Sequence, residues 1–200
     1  ELRCLAHYMR DKNYTNELLT GDIHTANQKS AGLDTRDKAK TFIYAFLYGA
    51  GDKKIGSIAG GGVEEGKKLK ENFLNNTPSL KKLRERVGKA SDKGYLKALD
   101  GRHIRVRSQH ASLNFLLQSA GAIISKRAWE IFHNMAEYEG FKYKQLGVIH
   151  DEIQIECSPD DAEAIGYLIV DAMEMTTEYY KLNCPITGDF KIGRSWNDTH

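Results

Sequence analysis

Apolar residues recur every three or four positions over most of this chain, the period of an amphipathic helix. In TRDKAKTFIYAFLYGAG, residues 35–51, Phe42, Ile43, Phe46 and Leu47 form one apolar side, with Thr35 as N-cap and Gly49-Ala50-Gly51 as the stop. Residues 14–33 read as two short helices broken near Gly21. Residues 63–75 and 78–90 read as two more with cationic outer faces, the second capped by Thr77 and begun by Pro78. Between these pairs, Gly60-Gly61-Gly62 reads as a loop; it lacks the leading strand and following Lys-Ser/Thr of a phosphate cradle. The longest helical signal, residues 110–138, puts Leu113, Leu116, Leu117, Ala120, Ile123 and Ile124 on its buried side. Residues 159–181 predict a last amphipathic helix, with Pro159 at its start and Asp160 and Asp161 at the positive end of its dipole.

Elsewhere the pattern is that of strands. Residues 95–107, YLKALDGRHIRVR, predict a hairpin whose tight two-residue turn is Asp100-Gly101. Leu99, Ile104 and Val106 would line its apolar face and leave Arg102, Arg105 and Arg107 outward. Residues 145–157, QLGVIHDEIQIEC, are two alternating apolar segments around His150-Asp151-Glu152. Residues 1–10 read as the end of a buried strand running into a helix, and Thr187 to Ile192 as a final strand.

With 200 residues the chain can bury a sizeable core as one domain or two small ones. A net charge of +2 does not announce a nucleic-acid binder, but the basic residues cluster: Lys67, Lys68, Lys70, then Lys81, Lys82, Arg84, Arg86, then Arg102, Arg105, Arg107. Such runs either follow a phosphate backbone or line a solvated helix face. Cys4, Cys157 and Cys184 have no metal-ligand spacing and read as reduced thiols of an intracellular protein. No signal peptide or membrane-length apolar run is present. The first residue is Glu1, not Met, inside the apolar run ELRCLAHYM, which predicts a fragment.

The candidate chemistry begins on the 35–51 helix. Arg36, Lys40, Tyr44 and Tyr48 stand at steps of four, each a turn of about 400° and a rise of about 6 Å, so they form one slowly rotating stripe. Two cations near a helix N-terminus make an anion site of triphosphate size, and the two rings offer flat surfaces for a sugar and a base. Spacing alone favours a plainer account, a surface helix with solvated cations and half-buried tyrosines. Asn114 and Gln118 place two amides one turn apart, suited to minor-groove acceptors or to an exposed polar stripe. Asp151 and Glu152 between apolar strands are a locally frustrated pair, and carboxylates are the groups that hold two magnesium ions in phosphoryl transfer. A polar turn explains the same triplet.

These motifs together resemble the family A DNA polymerases: Arg-x3-Lys-x3-Tyr-x3-Tyr-Gly resembles the nucleotide-binding helix of their fingers, and the longer string TRDKAKTFIYAFLYGAG closely resembles the replicative enzymes of short-tailed bacteriophages. The resemblance implies an α+β fold, a partial right-hand polymerase. Its palm, residues 1–17 and 95–200, would carry an antiparallel sheet backed by helices, and its all-helical fingers would span 18–94. It implies that Arg36 and Lys40 hold the incoming triphosphate with His24, that Tyr44 lies against the ribose, and that Tyr48 with Gly49 lies beside the templating base. ELRCLA is similar to the latter half of the first catalytic motif, so Glu1 would crowd the sugar 2′ position. The metal-binding aspartate of that motif would stand five positions earlier, before residue 1. LDGR puts Arg102 near the primer–template, which Asn114 and Gln118 would also touch. His110 stands where many relatives carry arginine. VIHDEIQ resembles the third motif, with His150 supporting the primer terminus and Asp151 and Glu152 binding two Mg2+ ions. The implied partners are primer–template DNA, dNTPs and a processivity factor recruited through an upstream thumb. The implied location is the cytoplasm of a bacterial host, with no membrane. Without the earlier aspartate, the alternative is a polymerase-derived fragment that binds nucleotide or DNA without catalysis.

Overall fold

Leu2, Leu5, Ala6 and Met9 are buried at helical spacing, and in the computed structural model the segment they occupy is a helix, α1 (Leu2–Met9), not the end of a strand. The steps of three, one and three fit a period of 3.6 and leave no alternation for a strand to use. The structure describes residues 1–149 and 152–199, which divide into two compact units, Glu1–Gln118 and Ser119–His200.

In the first unit, α2 (Lys12–Thr20) and α3 (Ile23–Ala31) are each started by an aspartate. Asp11 accepts from the Asn13 and Tyr14 N–H groups and Asp22 from those of His24 and Thr25, satisfying donors that a helix cannot pair internally. Helix α4 (Arg36–Leu47) starts as its sequence suggests, with the Thr35 hydroxyl accepting from the Lys38 N–H at 3.3 Å. It ends at Gly49, φ 76°, where the Gly49 N–H reaches the Phe46 carbonyl and the Ala50 N–H the Ala45 carbonyl. That is a Schellman motif, which needs a residue at ease in the left-handed region.

Helix α5 (Asp52–Ile58) was not expected. It packs so closely on α6 (Val63–Asn76) that a Cβ on Gly56 would strike the Gly62 carbonyl and one on Gly66 the Asp52 carbonyl. The triple glycine is therefore the turn of a tight helical pair. Lys70 joins this pair to the end of α4, donating to the Ala50 carbonyl at 2.6 Å and pairing with Asp52 at 2.8 Å. Helix α7 (Pro78–Ser91) has Pro78 in its first turn, but the Thr77 hydroxyl makes no cap bond; the Thr77 carbonyl instead accepts from the Leu80 and Lys81 N–H groups.

Phe42, Ile43, Phe46 and Leu47 are all buried, as their spacing predicts. Phe73 of α6 stands edge-on to two of them, 5.2 Å and 89° from Phe42 and 5.3 Å and 84° from Phe46. Strands β1 (Tyr95–Lys97) and β2 (His103–Arg105) form the expected antiparallel hairpin. Its turn is not a two-residue one. Ala98 donates to the Arg102 carbonyl and accepts from the Gly101 N–H, so Leu99, Asp100 and Gly101 make a three-residue loop in which Gly101 alone is left-handed, φ 88°. The Asp100 carboxylate favours this loop by accepting from the Arg102 backbone N–H and from its Nε.

Helix α8 (Ser112–Glu139) follows a single 3-10 turn, and all six residues assigned to its apolar side are buried. The second unit packs Phe132 and Ala136 of α8 with Ile165 and Ala172 of α9 (Ala162–Tyr179), under a hairpin of β3 (Tyr143–Ile149) and β4 (Glu152–Cys157). Leu146 is extra in the β3–β4 register, between Gln145 opposite Ile155 and Gly147 opposite Gln154, and it is exposed. Pro159 does not start α9. It belongs to the preceding turn, where its carbonyl accepts from Ala162, and Asp161 takes the cap position. Nor do Thr187 to Ile192 form a strand: the Thr187 hydroxyl bonds Glu174, and Phe190 packs edge-on to Tyr167 over Gly166. The short helix α10 (Trp196–Thr199) follows.

Because Phe73 is fully buried between two aromatic neighbours, Phe73→Ala should cost about 3–5 kcal/mol in a chemical denaturation measurement. A cost below about 1 kcal/mol would mean that α6 is not held to α4 by this ring.

Candidate functional site

Asp22 gathers the first group of predicted residues. Its Oδ2 accepts from the Arg36 Nε at 2.7 Å and the Thr25 hydroxyl at 2.8 Å, while its Oδ1 caps α3 at His24 and Thr25. The hydrogen bonds from Arg36 and Thr25 hold the Asp22 carboxyl far below the usual carboxylate range. His24 and Tyr44 face each other across α3 and α4, with ring centroids 6.4 Å apart. Burial, then the positive charges of Arg36 and Lys40, outweigh Asp22 and keep the His24 imidazole below its ordinary value of 6.5, hence neutral at pH 7. Its Nδ1 is buried without a hydrogen-bond partner among the described residues. Lys40 is exposed one turn after Arg36. Arg36 and Tyr44, two turns apart on α4, therefore both come to the start of α3, at Asp22 and His24, with the exposed Lys40 between them on α4 and the Tyr44 ring half-buried.

A second group lies at the C-terminal end of α4. Tyr48 is half exposed and donates its hydroxyl proton to Glu1 Oε1 at 2.7 Å; the Gln118 side-chain amide donates to the same oxygen. Three predicted site residues from α4, the chain start and α8 thus meet at one carboxylate. The hydrogen bond to that anion, reinforced by burial, pushes the Tyr48 phenol up to about 12. Gly49 is close beside them, where a Cβ would lie 2.7 Å from the His110 carbonyl oxygen. Asn114 is half-buried one turn before Gln118 on α8. Arg102 stays at the hairpin, paired with Asp100 at 2.6 Å.

Several members of the basic runs have internal work. Lys67 pairs with Glu64, Lys70 with Asp52, and the Arg84 guanidinium lies 4.9 Å from the Phe46 ring centroid. Lys81, Lys82, Arg86, Arg105 and Arg107 are exposed. In the second unit Glu152 opens β4, half-buried, and its carboxylate accepts from the Gln154 amide. His150 and Asp151 lie outside the described residues. Among the described residues no three His, Cys, Asp or Glu side chains converge on a metal-sized position, and Glu152 supplies one hard oxygen donor of the kind magnesium takes. Asp22 was not foreseen as a site residue, nor was the pairing of Asp100 with Arg102. The signal for Asp22 was its place directly before apolar Ile23, the N-cap position.

This α+β arrangement matches the solved POL domain of Pol1 from M. smegmatis, in complex with DNA primer-template and dNTP, at a TM-score of 0.79 and 22% identity, over 92% of this chain and 36% of that one. The fold is a partial right-hand polymerase fold. The profile of DNA polymerase family A matches residues 1–198, and the chain belongs to that family. It is 43% identical over its whole length to a DNA-directed DNA polymerase of Enterobacteria phage T3 and 42% to that of Escherichia phage T7. It spans about a third of these relatives, 32% of each.

Glu1→Gln should bring the Tyr48 phenol back down towards 10, because the anion that disfavours the phenolate is gone. Ultraviolet difference titration, with Tyr48→Phe identifying the signal, reads this directly. An unmoved titration would separate Tyr48 from Glu1.

Proposed function

We propose that the chain is the fingers and palm portion of a DNA-directed DNA polymerase, with fingers at 18–94 and palm at 1–17 and 95–200, which extends a primer 3′-hydroxyl with dNTPs. The observation that carries this reading is that Arg36 and Tyr44 of α4, with Lys40 between them, meet Asp22 and His24 at the start of α3, in a chain of family A. Arg36 and Lys40 neutralise the triphosphate and His24 donates to it, while the ring of Tyr44 bounds the ribose. Glu1 closes the 2′ side of the sugar. Tyr48 and Gly49 meet the templating base, and Asn114 and Gln118 read minor-groove acceptors common to every base pair. Arg102 holds the primer–template backbone and His150 the primer terminus.

Family A polymerases use divalent metal ions. Here Asp151 and Glu152 would hold Mg2+, which when bound would supply positive charge for activating the 3′-oxygen and stabilising the leaving pyrophosphate. In the reaction the 3′-hydroxyl gives its proton to solvent, its oxygen forms a new bond to the α-phosphorus, and the bond from that phosphorus to the oxygen bridging to the β-phosphate breaks, releasing pyrophosphate. The protein contributes positioning and charge rather than a covalent intermediate. No helix among the described residues is long and apolar enough to cross a membrane. The phage relatives support a role in replication in the cytoplasm of a bacterial host. A processivity factor would act through an upstream thumb.

In the full-length enzyme, Asp151→Asn should abolish primer extension while leaving primer–template affinity within about twofold, since one metal ligand but no DNA contact is lost. Near-normal extension would remove Asp151 from the metal site. Lys40→Ala should raise the dNTP KM about 10-fold to 100-fold, the loss of one charge-assisted hydrogen bond. An unchanged KM would remove Lys40 from the triphosphate site.

A further inference from the structure

We propose that Asp22 is a positioning residue for the triphosphate, its carboxylate fixing the plane of the Arg36 guanidinium by holding the Nε–H edge and leaving the two terminal nitrogens to face the anion. The inference rests on the reading of Arg36 given above.

A guanidinium is planar with five N–H donors, so fixing one edge fixes the direction of the others. Asp22 takes the Nε–H at 2.7 Å, and the four remaining N–H groups have no acceptor among the described residues. Asp22 is itself held. Its Oδ1 caps α3 at His24 and Thr25, its Oδ2 takes the Thr25 hydroxyl, and its own backbone N–H donates to Glu17 Oε1 at 3.2 Å. The same carboxylate thus anchors the backbone under His24, whose Nδ1 is buried without a hydrogen-bond partner among the described residues. The Asp22–Arg36 pair joins residues 14 apart on two helices, and its side chains are 43% and 50% exposed. Exposed pairs contribute little to stability. What this one supplies is direction.

The negative charge of Asp22 also repels a triphosphate, and this gives the test its sign. If orientation dominates, removing the charge weakens nucleotide binding; if repulsion dominates, removal tightens it. Asp22→Asn suits the comparison because asparagine caps a helix about as well as aspartate. The full-length enzyme, bound to a dideoxy-terminated primer–template, would be titrated with the complementary dNTP. The series is wild type, Asp22→Asn, Arg36→Ala and the double variant, with melting temperatures and steady-state KM and kcat recorded alongside.

Asp22→Asn should raise the dNTP Kd about threefold to tenfold through lost preorganisation, raise KM more than it lowers kcat, and leave the melting temperature unchanged. In the Arg36→Ala background it should add nothing, because the group it positions is absent. Unchanged or tighter binding in Asp22→Asn, while Arg36→Ala weakens it, overturns the positioning role and leaves the triphosphate reading intact. The same factor in both backgrounds also overturns it, since Asp22 would then act by another route. An Arg36→Ala enzyme with wild-type affinity removes Arg36 from the triphosphate site, and the inference falls with that reading.

Discussion

The contact of Phe73 with Phe42 and Phe46 sets the orientation of α4, and with it the direction in which every exposed group on that helix points. One helix of twelve residues has to serve two environments. A period of 3.6 allows this because a step of four stays near one face while the pairs at 42/43 and 46/47 take the other. Burying the aromatic face therefore also presents Arg36, Lys40, Tyr44 and Tyr48 outward as a stripe. Rotating α4 by one residue would bury cations and expose phenylalanines, both at high cost. Packing thus fixes which face of α4 carries the stripe.

Polar groups then act at the ends of helices, where backbone donors and acceptors are unpaired. Asp22 caps α3 and reaches Arg36; Lys70 satisfies the Ala50 carbonyl beyond the end of α4 while pairing with Asp52. Each of these side chains serves a helix terminus and a neighbouring element at once. Junctions tied in this way hold α3, α4 and α6 together where apolar packing has run out.

The helical part of the fold was legible because its burial is periodic. The apolar sides of α4 and α8 fell where residue spacing put them, down to Ala120 and Ile124. Failures came where local pattern is ambiguous. A ten-residue apolar start suits a strand end or a helix, and burial at Leu2, Leu5, Ala6 and Met9 decided for the helix. Asp-Gly signals a tight turn, yet a carboxylate bonding to Arg102 drew the hairpin into a three-residue loop. Thr187 to Ile192 has apolar residues but no ladder, because its side chains are occupied by α9. Helix α5 is rich in charge and glycine, and only its close approach to α6 explains it. Within the site, the α4 stripe could be read from spacing, whereas Asp22 could be read as a cap but not as a partner of Arg36, a contact made by tertiary structure.

The shared carboxylate of Glu1 gives the same lesson from the other end of α4. Glu1, Tyr48 and Gln118 carry no joint signature in sequence, being 47 and 117 residues from one another by the bonds they make. Their convergence follows from helix ends: α4 stops at Gly49, whose missing side chain lets the chain approach the His110 carbonyl, and α8 begins two residues later in sequence. A side chain at Gly49 would push those elements apart and with them the phenol and the amide. The glycine read from sequence as a helix stop is thus also what brings the tip of α4 to the start of α8, and a conformational requirement of one residue becomes the link between two parts of the candidate site.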